Sequence, residues 1–236
     1  MYVVLLVRLP FHRWNVVQCL PDRAEGSDPV TTSHPAEGCT RCRLGTLEVA
    51  CPPRTREGET CNRCGGTGKR QHRTHVIWGE GPVPCDVLYL GEAPGYQEDI
   101  HGRPFYPDAP AGRVLRTLVA EVDLPGYFTN PAKCRPPDNK LANYPDALPA
   151  CRGWLDMELS AVQPKVIVAL GKTSGSIWFP GCSATEMSSL ARALPDGRVI
   201  VGAFHPSYVA RGVDPTARPS LVRSLQRAKE LLEEVR

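Results

Sequence analysis

From about residue 76 onward, unbroken apolar runs alternate with stretches that place apolar residues on one helical face. Val87–Leu90, Tyr127–Thr129, Val166–Leu170 and Val199–Ala203 show no polar alternation, the pattern of strands buried on both faces. Between them, helical periodicity covers 111–122, 145–162, 173–179 with 185–193, and 220–235. Strand and helix in alternation predict an α/β protein: a three-layer α/β/α domain with a central four-stranded, mainly parallel sheet. In such sheets the ligand crevice lies beyond the carboxyl ends of the strands. Glu92, Asn130, Gly171 and His205 fall at those ends.

The first third of the chain reads differently. Residues 1–38 begin with a short apolar run and continue through a Pro/Ser/Thr/Asp/Gly-rich stretch, predicting a poorly ordered extension. Residues 39–75 hold five cysteines, eight Lys/Arg and the cluster Gly65-Gly66-Thr67-Gly68 with little apolar periodicity. A segment of that kind cannot build a core and needs a metal to order it. The expected organisation is therefore an extension (1–38), a Cys-rich metal-binding segment or insertion (39–75), and the α/β domain (76–236).

With 236 residues, 42% of them hydrophobic, the chain can bury a full core. The formal net charge of +3 allows nucleic-acid binding without requiring it. No apolar run is long enough for a membrane span, and the opening Tyr2–Val7 stretch lacks the features of a signal peptide. An intracellular, cytoplasmic protein with no membrane partner is expected.

Ten cysteines would be many for such a protein unless some bind metal. Cys39/Cys42 and Cys61/Cys64 have CxxC spacing, and 16 residues lie between Cys134 and Cys151. The two CxxC pairs, with 18 residues between Cys42 and Cys61, also fit a four-cysteine zinc ribbon. Cys51, Cys61 and Cys64 with His72 or His75 form another zinc alternative. Cys19, Cys85 and Cys182 read as small buried hydrophobes.

Two loops more than a hundred residues apart carry the remaining chemistry. Gly91-Glu92-Ala93-Pro94-Gly95 leads to the carboxylates Glu98 and Asp99, and Phe204-His205-Pro206-Ser207-Tyr208 carries an imidazole. Taken singly, each has a bland explanation. His205 could cap a turn, Glu98 and Asp99 could cap the helix after Gly112, Phe105 could be core, and Asn130 could satisfy backbone before Pro131.

Together these stretches resemble the family 4, iron–sulfur uracil-DNA glycosylases. The likeness runs in order through Gly91–Asp99 with Gly102-Arg103-Pro104-Phe105, Thr129-Asn130 with Lys133-Cys134-Arg135-Pro136-Pro137, Lys165–Gly171, and His205–Tyr208 with Arg211. It covers roughly residues 73 to 236. The resemblance implies that His205 donates to the uracil oxygen and that Glu98 positions or activates water. It further implies that Phe105 stacks on the extruded base and that Asn130 reads its edge. On the same resemblance, backbone groups around Glu92, Ala93 and Pro94 would contact the base. Ser207, Tyr208 and Arg211 are expected to approach phosphates, with Arg113, Arg135 and Lys140 as further candidates. It also implies a structural [4Fe–4S] cluster. Cys134 and Cys151 match the later ligand pair. Cys39/Cys42 match the early pair in local text, and Cys61/Cys64 match it in position.

Two departures stand out. The loop Tyr106–Gly112 is longer and richer in proline than the family expects, and Pro131 follows Asn130 where an apolar residue is usual. The basic, His-bearing loop of the branch that captures DNA covalently is absent, since Cys134-Arg135-Pro136-Pro137 occupies its place, so turnover is expected. The activity implied is excision of uracil from DNA by a monomer, leaving an abasic site. A non-catalytic nucleic-acid-binding or replication-accessory role, and a glycosylase for another modified base, are the alternatives.

Overall fold

The structure is a computed structural model, and it describes residues 38–50, 67 and 69–235. Cys51, Cys61 and Cys64, the residues of the zinc alternatives, and the extension up to residue 37 lie outside the described residues.

In chain order the elements are α1 (Arg43–Thr46), β1 (Glu48–Ala50), β2 (Lys69–Gln71), β3 (Val87–Leu90), α2 (Tyr96–His101), α3 (Pro110–Val122), β4 (Tyr127–Thr129), α4 (Ala147–Val162), β5 (Val166–Leu170), α5 (Gly171–Gly175), α6 (Ala184–Met187), β6 (Ala191–Ala193), β7 (Val199–Ala203), α7 (Pro206–Ala210) and α8 (Ala217–Glu234). β1 and β2 form a small antiparallel sheet. The main sheet runs β4-β3-β5-β7-β6. Its first four strands are mutually parallel, and β6 pairs antiparallel with β7.

The four apolar runs become the four parallel strands, each buried along its whole length. Alternate residues feed opposite cores. Val87, Tyr89, Val166, Val168, Val199 and Val201 pack with Leu115 and Leu118 of α3 and Leu221 and Leu225 of α8. Leu88, Leu90, Ile167, Ala169 and Ile200 pack on the other side with Leu155 and Val162 of α4, Phe179 and Met187. Because both faces are covered, neither phase of the strand can be polar. Tyr89 is the informative exception within the first core. Its hydroxyl, fully removed from solvent, donates to Leu124 O at 2.6 Å, as a buried phenol must.

The sheet has five strands rather than four, and the fifth corrects the helix expected over 185–193. Ser183 starts α6 with a capping box: its Oγ accepts from Glu186 N at 3.2 Å, and its N–H donates to Glu186 Oε2 at 2.7 Å. That helix ends at Met187, and Gly202 N donates to Leu190 O at 2.9 Å, delivering the chain to the free edge of β7. Gly202 is needed for the approach, since a Cβ there would lie 2.1 Å from Met187 O. All three β6 residues are exposed. Alanine and arginine favour helix, so this strand is imposed by the neighbouring edge rather than by its own residues.

Part of the Cys-rich segment is built into the domain. Leu44 and Cys42 are buried with Ala132, Cys134, Leu141 and Ala147, and Arg43 N donates to Asp146 Oδ2 at 2.8 Å, beside the start of α4. Among the described residues no helix is long and apolar enough to cross a membrane.

Candidate active site

The parallel register brings four strand ends to one edge of the sheet. Leu90 lies beside Thr129 and Ala169, and Leu170 beside Ala203. The next residues are Gly91, Asn130, Gly171 and, one beyond Phe204, His205. Two of these are glycine because their neighbours leave no room. A Cβ on Gly91 would sit 2.2 Å from Asn130 Oδ1 and 2.7 Å from Phe105 Cζ, and one on Gly171 would sit 2.8 Å from His205 Cβ. Asn130, Phe105 and His205, scattered in sequence, thus converge.

His205 lies at the start of α7. Its Nδ1 accepts from Ser207 N at 3.2 Å and lies 2.8 Å from Ser207 Oγ. His205 thus caps α7, the structural role envisaged for it. An Nδ1 that accepts from a backbone N–H carries no proton, so in the neutral imidazole the proton sits on Nε2. Burial pushes the His205 pKa down to about 4, with Arg211 adding to the effect. At neutral pH the ring is an uncharged Nε2–H donor.

The Phe105 ring stands 6.2 Å from the His205 ring, centroid to centroid, and tilted 34° to it. Phe105 is buried and contributes to the core, yet its backbone is left-handed (φ 45°). A bulky residue adopts that conformation only where its surroundings enforce it. Its N–H donates to Glu98 Oε1, and Gly95 N–H donates to Glu98 Oε2 at 2.5 Å. Burial raises the Glu98 pKa, and those two backbone donors together with Arg116 oppose the rise. Glu98 lies in α2, a short helix absent from the expectation, in which the carboxylates preceded a helix starting after Gly112.

The adjacent carboxylate points elsewhere. Asp99 is buried and accepts from Thr74 N at 2.8 Å and His75 N at 3.1 Å. It anchors the segment preceding β3 and does not join the cluster of Phe105, Asn130 and His205.

Asn130 is 3% exposed, and its Nδ2 has no hydrogen-bond partner. A strand-end asparagine that merely satisfied backbone would not leave a buried amide nitrogen idle, since that costs on the order of 1–3 kcal/mol. Beneath it, Lys133 Nζ donates to Asn130 O and Thr129 Oγ1, each at 2.8 Å, and forms a very close ion pair with Glu158. On the far side, Thr173 Oγ1 donates to Glu92 Oε2 at 2.6 Å, tying the loop after β3 to α5. Glu92 also accepts through its carbonyl from Ala132 N at 3.3 Å. Ala93 packs towards the core containing Cys134, and Pro94 is buried. Thr173 and Glu158 were not singled out from sequence, because each finds its partner on a remote element.

The surface candidates are dispersed. The Arg135 guanidinium lies 4.9 Å from the Tyr96 ring and that of Arg211 5.6 Å from the Tyr208 ring, while Arg113 bonds Asp108 O at 3.2 Å.

A second feature adjoins this one. Cys39, Cys42, Cys134 and Cys151 line a single cavity with Arg73 and Trp154. Arg73 Nη1 donates to Cys134 Sγ at 2.9 Å and Nη2 to Cys39 O at 2.7 Å. None of the four cysteines forms a disulfide. Among the described residues, no three His, Cys, Asp or Glu side chains converge as holders of one metal ion. Thiols spread around a hollow suit a polynuclear cluster better than a single ion.

Comparison with known proteins bears on both features. Residues 78–228 match the family model described as the uracil DNA glycosylase superfamily. A type-4 uracil-DNA glycosylase of Thermotoga maritima is 32% identical over 180 residues, 74% of this chain and 92% of that protein. One of Archaeoglobus fulgidus is 34% identical over 168 residues, 65% of this chain and 80% of that protein. A type-5 uracil-DNA glycosylase of Pyrobaculum aerophilum is 27% identical over 189 residues, 67% of this chain and 80% of that protein.

Proposed function

Since the chain belongs to the uracil-DNA glycosylase superfamily and is similar to its type-4 enzymes, we propose that it hydrolyses the N-glycosidic bond of uracil in DNA. The product is an abasic site in an unbroken strand. One observation carries the choice of substrate: a buried, unpartnered Asn130 amide nitrogen beside Phe105. A donor there matches the carbonyl of uracil and mismatches the exocyclic amine of cytosine.

The target nucleotide leaves the duplex at a cost of a few kcal/mol, offset by stacking on Phe105 and hydrogen bonds in the site. Backbone groups of Glu92, Ala93 and Pro94 border the base, held by the Thr173–Glu92 contact. As the bond lengthens, negative charge gathers on the base and positive charge on the sugar. His205 Nε2–H, neutral and oriented by Ser207, donates to the base oxygen that becomes anionic. Glu98, its oxygens aimed by Gly95 and Phe105 N–H, holds the attacking water and opposes the sugar's charge. Ser207 keeps the imidazole in its donor tautomer and lies next to the path of the backbone phosphates.

The test is release of free uracil from single-stranded, U:G and U:A oligonucleotides by iron-loaded protein, with alkali revealing the abasic sites. Folded, iron-loaded protein that binds these strands but releases no base would be a non-catalytic DNA-binding member of the fold. Release of a different base in preference would mark a glycosylase for other damage.

Cys39, Cys42, Cys134 and Cys151 would hold the [4Fe–4S] cluster of the type-4 enzymes, a reading supported by the four thiols that line one cavity. The cluster's contribution when bound is to brace the α1 region, the Cys134 loop and α4 against one another. Serine at any of these four positions is expected to lose most of the protein's iron, while Cys85→Ser and Cys182→Ser, which alter residues packed against the sheet's second core, retain it. Full iron in Cys39→Ser would move the early ligand pair to Cys61/Cys64.

A further inference from the structure

We infer that Arg116 is a positioning residue for base excision, holding the Phe105 backbone and the Glu98 carboxylate in register with His205. The inference rests on the function proposed above. Arg116, on the inner side of α3, is the point where the strained loop is fastened. Its Nε donates to Phe105 O at 2.7 Å, and its Nη2 donates to Pro104 O and Glu80 Oε1, each at 3.1 Å. The guanidinium lies 4.4 Å from the centroid of the Phe128 ring. Glu80 is itself oriented by Arg103 through two bonds of 2.8 Å.

Phe105 is thus gripped at both ends of its peptide geometry: N–H by Glu98, C=O by Arg116. A left-handed phenylalanine is strained and persists only when over-determined. The start of α3 closes on the Phe105 carbonyl and the next one, because a Cβ on Gly112 would lie 2.0 Å from Tyr106 O and 2.5 Å from Phe105 O. Only a planar fork with several N–H groups can bond two carbonyls and a carboxylate while stacking on a ring. Lysine would keep the charge but not the grip. Arg116 is also the charged side chain that acts on Glu98, the other stabilising groups being the N–H of Gly95 and Phe105. Asp99 faces away towards Thr74 and His75, and His205 is neutral.

Arg116→Lys and Arg116→Gln separate the two contributions. Both are expected to lower kcat for a uracil-containing single strand by about 10- to 100-fold with little change in KM, the scale of a misplaced catalytic group. In Arg116→Gln the acid limb of the kcat–pH profile moves to higher pH, since Glu98 loses its cation and takes up a proton sooner. In Arg116→Lys that limb stays in place. The Phe105 amide proton, expected downfield in wild type because it donates to the Glu98 carboxylate, is expected to move upfield in both variants. Variants within two-fold of wild-type kcat, or a loss in KM alone, would overturn the inference. So would an unmoved Phe105 resonance, which is readable even if the wild type released no uracil and the functional proposal itself had failed. Should Arg116→Gln not fold, the kcat and resonance of Arg116→Lys decide.

Discussion

A His205→Ala variant is expected to release uracil about 100- to 1,000-fold more slowly than wild type under saturating substrate, the usual cost of removing one oxyanion donor. The KM changes far less, because the donor's main work comes when the base oxygen turns anionic. Single-turnover kinetics on a single strand would measure this, and a loss below ten-fold would take His205 out of the chemistry. The pH behaviour follows from the depressed pKa. The folded ring stays neutral down to about 4, whereas an unfolded histidine protonates near 6.5. Between those values the unfolded chain binds the extra proton, so as pH falls through that window His205 lowers stability; above it the residue has no effect on stability. The donor itself survives across the same range. On the proposed mechanism the acid limb of activity is therefore expected to report Glu98, whose pKa burial raises, and loss of activity on acidification is the sign expected.

The largest effect on stability should come from Lys133→Met. Lys133 and Glu158 have side chains 1% and 3% exposed. Glu158 accepts in addition from Gly79 N at 2.7 Å and Thr129 Oγ1 at 2.8 Å. Removing one member leaves a buried charge without its counter-ion, a loss of about 3–5 kcal/mol. At 2–4 °C per kcal/mol for a domain of this size, that lowers Tm by roughly 10 °C. Thermal unfolding of Lys133→Met, Glu158→Leu and the double variant forms a thermodynamic cycle, and the double variant should lose much less than the sum of the two. A single-variant shift under 2 °C would show the pair to be dispensable. The same substitution removes the donor to Asn130 O, so excision should fall as well. Parallel iron analysis separates this from disturbance of neighbouring Cys134.

How much of this was legible depended on where each residue finds its partner. The four parallel strands stand at their expected bounds, because a strand buried on both faces writes its identity as an apolar run. Helices α3, α4 and α8 lie within three residues of expectation at each end, since each carries a full apolar stripe. β6 was illegible: three exposed residues with helical preference pair only because β7 offers an open edge. α2 was missed because its six residues are too few for periodicity, and Gly95 gives a weak starting signal. Among site residues, Phe105, Asn130 and His205 stood out through their motif text, and the structure brings them together. Arg116, Thr173 and the Lys133–Glu158 pair did not, since their partners lie 11, 81 and 25 residues away and no spacing rule connects them. The zinc alternatives, resting on Cys51, Cys61 and Cys64, fall outside the described residues.

The two margins of the main sheet have a consequence for handling the protein at high concentration. β4, at one margin, is three residues long, and the Glu80–Phe128 bridge occupies its outer side. β6, at the other, is equally short and turns an arginine to solvent. Among the described residues, neither border offers the long, flat, unpaired ribbon on which a neighbouring molecule could add strands. Self-association by strand exchange is thereby discouraged, and the hydrophobic ribbons most prone to fibril formation stay locked in the interior between two guarded flanks.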